Sequence, residues 1–330
     1  MIKILAGDIG GTKTNLALFE VIDNALVMEA HHQYASQSFT SFSDILCDFK
    51  DRFVTFPIHS ACLGVAGPVI DGHCRTTNLP WNINALELKK QLNTTKARLL
   101  NDLEATAYGM LYLDEDDFYD LNPTSQVMKG NKAVIAAGTG LGEAMLFWDG
   151  SNYAPIGCEG GHSDFAPCTA QQDDLLKWLR HRYPHHVSFE RVLSGSGIAA
   201  VYDFLRDSHF APEPDLMITI AQFSDRSALI SECALNDNDA LCVETLRLFV
   251  QIYGAEAGNL ALKTMSLGGV YIGGGIAPKI LAAITSENTF MDAFVGKGRF
   301  ESMLKSVSVK ISLNPETALL GAAHFALDRL

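Results

Sequence analysis

Two distant stretches of the chain share one grammar. Residues 5–20 read LAGDIGGTKTNLALFE and residues 132–150 read KAVIAAGTGLGEAMLFWDG. In each, an apolar strand-like run meets glycines and a threonine, and a second apolar run follows. Where a glycine-rich loop binds phosphate in a Walker or dinucleotide motif, the loop opens a helix whose N-terminus receives the anion. Here no helix follows: TKTNLALFEV keeps strand-like alternation, a polar turn comes at residues 23–25, and LVMEA continues the meander. The contiguous Gly-Lys-Ser/Thr run of a Walker loop is also missing. What is left is a tight turn in which Gly10 and Gly11 present N–H groups and Thr12 and Lys13 reach toward phosphate oxygens, with Asp8 placed to hold a hydrated Mg²⁺. A plain hairpin with incidental charges fits that segment taken alone. Its recurrence around Gly138, Thr139 and Gly140 shifts the balance toward two halves, each contributing a loop to one cleft.

A third cluster, LGGVYIGGGIAPKI at residues 267–280, contains Gly274 and Gly275 and follows a helical segment. That segment carries Gly254, Ala255, Ala257, Gly258 and Ala261 near its end, a surface for close packing of another element or a flat ring. With 330 residues, 48% of them apolar, the chain can bury a large core and is long enough for two lobes. A formal charge of -13 argues against nucleic acid or an anionic membrane as partner and leaves small solutes. No apolar run reaches the roughly 18 residues of a membrane span, and IKILAG opens on a strand without a leader pattern, so the cytoplasm is expected. Seven cysteines, none in a C-x-x-C pair, support neither a disulfide framework nor a zinc ribbon.

Six segments taken in order, GDIGGTKTNLAL, LLNDLEATAYG, AAGTGLGEAML, EGGHSDFAP, ERVLSGSGI and GGVYIGGGIAPK, resemble the bacterial glucokinase family of the actin-like ATPase superfold. They cover most of the chain, and EGGHSDFAP with ERVLSG is the part most particular to that family. Lys13 is closer to the related group of sugar kinases and repressors. The cysteine-rich zinc motif of that group is absent after EGGH, and so is a preceding helix-turn-helix, which disfavours a sugar-responsive repressor.

The residues themselves make chemical sense of the resemblance. A neutral sugar offers only hydroxyls, so its site needs carboxylates, amides and imidazoles held in fixed directions. Asn101 and Asp102 end the strand-like KARLLND, Glu159 and His162 flank a Gly-Gly turn, and Glu190 precedes RVLSG. The resemblance implies that Asp102 is the general base toward the sugar's 6-hydroxyl, while Asn101, Glu159, His162 and Glu190 hold the other hydroxyls. Alternatively, Asp102 caps the helix beginning at LEATAYG and His162 is an ordinary turn histidine. Asn78 and Trp81 line the sugar side of the cleft or belong to a packed hairpin. DEDD at residues 114–117 reads as a solvated loop.

These readings predict an α/β, two-lobed actin-like ATPase (ribonuclease H-like) fold with mixed sheets and a central cleft. The small lobe is expected at 1–104 plus 312–330 and the large lobe at 105–311. ATP with Mg²⁺ binds through Asp8, Gly10, Gly11, Thr12, Lys13, Gly138, Thr139, Gly140, Gly274 and Gly275. The implied activity is ATP-dependent phosphorylation of glucose at the 6-hydroxyl by a cytoplasmic homodimer, in the first step of glycolysis. A kinase for another hexose, a noncatalytic sugar sensor or an ATP-driven switch are the alternatives.

Overall fold

The computed structural model describes residues 2–76, 79–123, 128–213, 225–237 and 239–330. The fold is α/β with mixed sheets, as expected. The chain divides into two compact units, Met1–Phe118, Ala144–Gly157 and Asn314–Leu330 forming one, Tyr119–Glu143 and Cys158–Leu313 the other.

In the first unit a five-stranded sheet has the order β3-β2-β1-β4-β8, built from β1 (Ile2–Ile9), β2 (Lys13–Ile22), β3 (Ala25–Ala35), β4 (Ser60–Val65) and β8 (Lys96–Asn101). β1, β2 and β3 form an antiparallel meander. Its second turn carries Asp23 and Asn24 at φ 50° and 64°, the left-handed pair that matches a two-residue hairpin to strand twist. β1, β4 and β8 run parallel to one another. Between β4 and β8 lies a small antiparallel sheet of β5 (Val69–Ile70), β6 (His73–Arg75) and β7 (Asn82–Asn84). Helix α1 (Phe42–Phe53) starts at a Ser41–Asp44 capping box and buries Phe42, Ile45, Leu46 and Phe49 in the core of this unit. Helix α2 (Ala85–Leu92) feeds β8, and α3 (Asp102–Gly109) leaves it directly.

The expected boundary at residue 104 would cut α3. Instead α3 stays whole within the first unit because it packs closely on the C-terminal helix Thr317–Asp328, with Gly109 against the Thr317 carbonyl and Gly321 against that of Ala105. The small residues of the run ETALLGAAHFAL permit that close approach.

The second unit is organised around parallel strands β10 (Lys132–Ala137), β13 (Val270–Gly273) and β14 (Val309–Ser312). They belong to a six-stranded sheet of order β12-β11-β10-β13-β14-β9, completed by β9 (Phe118–Asp120), β11 (Leu141–Trp148) and β12 (Tyr153–Cys158). Helices α4 (Ala170–Arg182), α5 (Gly195–Asp207), α6 (Ala240–Thr264) and α7 (Thr289–Val295) supply about half of its core. The small residues of α6 serve packing: Gly254 and Gly258 meet the backbones of Phe290 and Phe294 on α7. At Gly254 and Gly258 a neighbouring element fills the space.

Candidate active site

Parallel pairing sets Asp8 beside Gly64, and Val65 beside Asn101. The first glycine turn and the start of α3 therefore share the C-terminal edge of one sheet, the edge at which α/β folds bind ligands. Asp102 is the first residue of α3. A Cβ placed on Gly64 would lie 2.8 Å from the Ala105 Cβ and 3.7 Å from the Asp102 Cα, so a side chain there would push β4 and α3 apart. Asn101, not Asp102, caps the helix. Its Oδ1 accepts from the Leu103 N–H at 2.9 Å, and its own N–H donates to Glu104 Oε2 at 2.9 Å. The Asn101 Nδ2 donates to the Gly67 carbonyl at 3.0 Å, which commits much of that amide to the scaffold. Asp102 is half-buried; its Oδ1 accepts from the Leu103 N–H at 3.0 Å, and its charge adds to the burial that pushes the Cys74 thiol up to about 11.

The turn between β1 and β2 closes with the Gly10 N–H donating to the Lys13 carbonyl at 2.9 Å. Thr12 and Lys13 are exposed, and Gly10 and Gly11 are half-buried. Behind the turn, buried Ser36 donates its hydroxyl to the Gly10 carbonyl at 2.9 Å, shares a 2.9 Å bond with the Thr14 hydroxyl, and donates its N–H to the Thr12 carbonyl at 2.9 Å. Asp8 sits half-buried beside the turn. Burial raises its carboxyl above the usual carboxylate range, and the Asn15 side chain opposes that rise. A nearby cation would stabilise the ionised form. Among the described residues no three carboxylate, histidine or cysteine side chains cluster as metal ligands. A single carboxylate of this kind suits Mg²⁺, which keeps much of its water and shares substrate phosphates.

In the second unit the turns after β10 and β13 lie side by side. The Ile276 N–H donates to the Ala137 carbonyl at 3.3 Å, and Gly274, at φ 80°, backs onto Ala137. Within the first of these turns the Gly138 N–H donates to the Gly140 carbonyl at 2.8 Å, and Gly138 receives the Gly195 N–H from the start of α5 at 2.9 Å. Thr139, Gly274 and Gly275 are exposed. Glu190 joins this group: its Oε2 accepts from the Leu141 N–H at 3.1 Å, and a Cβ on Gly140 would meet it at 2.5 Å. The segments carrying Glu159–His162 and Glu190 are tied together, with the Phe165 N–H donating to the Val187 carbonyl at 2.9 Å and that of Phe189 to Ser163 at 3.0 Å. Glu159 and His162 are exposed, at the ends of a short turn closed by the His162 N–H on the Glu159 carbonyl at 3.0 Å.

Asn78 lies outside the described residues. Trp81 is 2% exposed and packed near Phe42 with ring centroids 6.5 Å apart, as in a packed hairpin. Residues 114–117 form a largely exposed turn with its own capping box, as a solvated loop would. Sequence reasoning missed Ser36 and Thr14 behind the first turn. It also missed Glu143 and Glu256, two acids 1% and 0% exposed beneath the Glu159–His162 turn. The readable signal for these was an acid inside the apolar strand GLGEAML and another in the small-residue helix.

The profile of the glucokinase family matches residues 5–329. A glucokinase from Nostoc punctiforme is 40% identical over 336 residues, covering 98% of each chain. The crystal structure of a glucokinase from an Antarctic psychrotroph is 32% identical, covers 99% of both chains and superposes with a TM-score of 0.85. A ROK-family glucokinase from Streptomyces griseus, crystallised with glucose and AMPPNP, shares the fold at 18% identity and a TM-score of 0.66, covering 98% of this chain and 99% of that one.

Proposed function

This chain belongs to the glucokinase family, enzymes that phosphorylate glucose with ATP, and we propose how its own residues divide that work. Asp102 accepts the proton of the sugar's 6-hydroxyl as that oxygen attacks the γ-phosphorus, and the bond to the bridging oxygen of ADP breaks. The single observation that carries this reading is the position of Asp102, fixed at the first turn of α3 on the same sheet edge as the Asp8–Lys13 turn.

Phosphoryl transfer asks little covalent chemistry of a protein, so positioning and charge neutralisation provide most of the acceleration. Exposed Thr12 and Lys13 and the N–H groups of Gly10 and Gly11 suit phosphate oxygens; so do the turns holding Gly138, Thr139 and Gly140 and Gly274 and Gly275. Mg²⁺, held through water at Asp8, would supply further neutralisation of phosphate charge. Glu159, His162 and Glu190 take sugar hydroxyls, and Asn101, largely engaged as a cap, contributes what remains of its amide; Asn78 completes the proposed set. The proposal extends to a cytoplasmic homodimer acting in glycolysis, with neither nucleic acid nor membrane as partner. The formal charge of -13 supports the last point by repelling polyanions.

A coupled assay across a panel of hexoses with ATP tests the reading. Strong turnover on glucose is expected. Binding without turnover would mean a sensor, ATP hydrolysis without sugar phosphate a switch, and preference for another hexose a different kinase.

A further inference from the structure

Beneath the Glu159–His162 turn lie two carboxyl groups that the reaction does not use. Glu143, on β11, is 1% exposed and Glu256, on α6, is 0% exposed. Glu143 Oε1 is buried without a hydrogen-bond partner, and its Oε2 lies where a Cβ on Gly160 would stand 1.9 Å away. Any side chain at position 160 would collide with it, so the turn backbone rests directly on this carboxyl group. Glu256 stands close enough to Glu143 for its charge to act on the Glu143 carboxyl. Two buried carboxylates cannot both stay ionised at such range, and a single proton between them turns repulsion into a hydrogen bond.

The surrounding charges fit one proton. From α6, the Lys263 ammonium meets Glu256 Oε1 at 3.0 Å and the Asn259 amide donates to Oε2 at 2.8 Å. Lys297, beyond α7, also faces Glu256, but burial lowers its ammonium below the usual lysine range. The Tyr253 hydroxyl, near Glu143, is engaged with the Ala137 N–H and the Ile135 carbonyl. From β12, the Cys158 thiol donates to the Glu143 carbonyl at 3.4 Å, and Glu159 adds a negative charge beside that thiol. One directly bonded lysine balances one carboxylate, and the second acid carries the proton. Burial, then the charge of Glu256, pushes the Glu143 carboxyl up to about 7, opposed by Lys263.

We propose that Glu143 is a positioning residue for sugar binding: by sharing a proton with Glu256 it seats Gly160 and so aims Glu159 and His162. The inference rests on the sugar-binding role proposed for those two residues. Loss of the shared proton sets two carboxylates against each other under the turn, and affinity for glucose falls while affinity for ATP does not.

The test follows KM for glucose, KM for ATP and kcat from about pH 6 to about pH 8.5 in the wild type, Glu143→Gln and Glu256→Gln. In the wild type KM for glucose is expected to rise about tenfold with pH and KM for ATP to stay level. Glu143→Gln, whose amide can donate the missing hydrogen bond at any pH, is expected to flatten that rise. Infrared difference spectra of the sugar-free wild type, with Glu143→Gln as reference, should show a protonated carboxyl band that fades through neutrality. An unchanged slope in Glu143→Gln would assign the pH effect elsewhere and overturn the proposal; absence of the band would overturn the shared proton even where the variant folds poorly. If Glu159→Ala and His162→Ala leave KM for glucose intact while the band is present, the sugar-site reading fails and the acid pair stands alone.

Discussion

Asn101 and Glu104 cap each other, with the Leu103 N–H on Asn101 Oδ1 and the Asn101 N–H on Glu104 Oε2, both at 2.9 Å, and Asp102 is held between them at the first position of α3. Glu104 has a second task, accepting the Gly157 N–H on Oε1 at 3.2 Å. Glu104→Ala should lower stability by about 1 kcal/mol, the usual cost of a lost cap, and lower kcat more than it raises KM for glucose. Urea unfolding and steady-state kinetics check this together. Full kcat in a destabilised variant would separate the cap from the orientation of Asp102.

Gly64→Ala tests the close approach of β4 and α3. The new methyl would stand 2.8 Å from the Ala105 Cβ, so helix and strand must separate. A stability loss of about 1–3 kcal/mol is expected, with impaired turnover as Asp102 moves with its helix. The double variant Gly64→Ala with Ala105→Gly, which removes the opposing methyl, should recover part of both.

Ser36→Ala removes the hydroxyl that supports the Gly10 carbonyl and pairs with Thr14. Leaving these buried groups short of a partner should cost about 1–3 kcal/mol. The kinetic signature is a raised KM for ATP with KM for glucose little changed, since the turn proposed for phosphate loses its backing. Titration with a fluorescent nucleotide analogue gives the same answer without turnover.

What the sequence showed of all this was mainly its punctuation. Glycines with Thr12 and Thr139 marked both turns, and the Asp23–Asn24 pair marked the hairpin, because turn chemistry is local. Ser36 supports a residue 26 positions earlier and the Gly109 backbone meets Thr317, pairings that no local pattern contains. Trp81 fitted either the sugar side of the cleft or a packed hairpin, and its ring belongs to the core around Phe42, a long-range partner that the local pattern does not contain. Glu143 alternated inward on an otherwise apolar strand, but only the fold reveals that Glu256 faces it.

The Glu143 carboxyl also makes stability depend on pH. Its folded-state value of about 7 lies above the ordinary 4.5, so between those values the folded protein holds a proton that the unfolded chain has released. Stability from this group is therefore complete below about pH 4.5 and is lost as pH rises through 7, a loss on the order of 3 kcal/mol. Other groups titrate over the same range, so the measurement is the difference between wild type and Glu143→Gln. The variant's stability should fall less between about pH 5 and about pH 8, and parallel curves would contradict the shift.

The most direct test of the account is the turnover of Asp102→Asn with glucose and ATP, measured beside its affinity for glucose by calorimetry. The amide keeps the shape of the side chain and cannot accept the hydroxyl proton, so kcat should fall by about 10²- to 10⁴-fold while folding and glucose binding persist. Turnover close to the wild type in a correctly folded Asp102→Asn would contradict the assignment of Asp102 as the base.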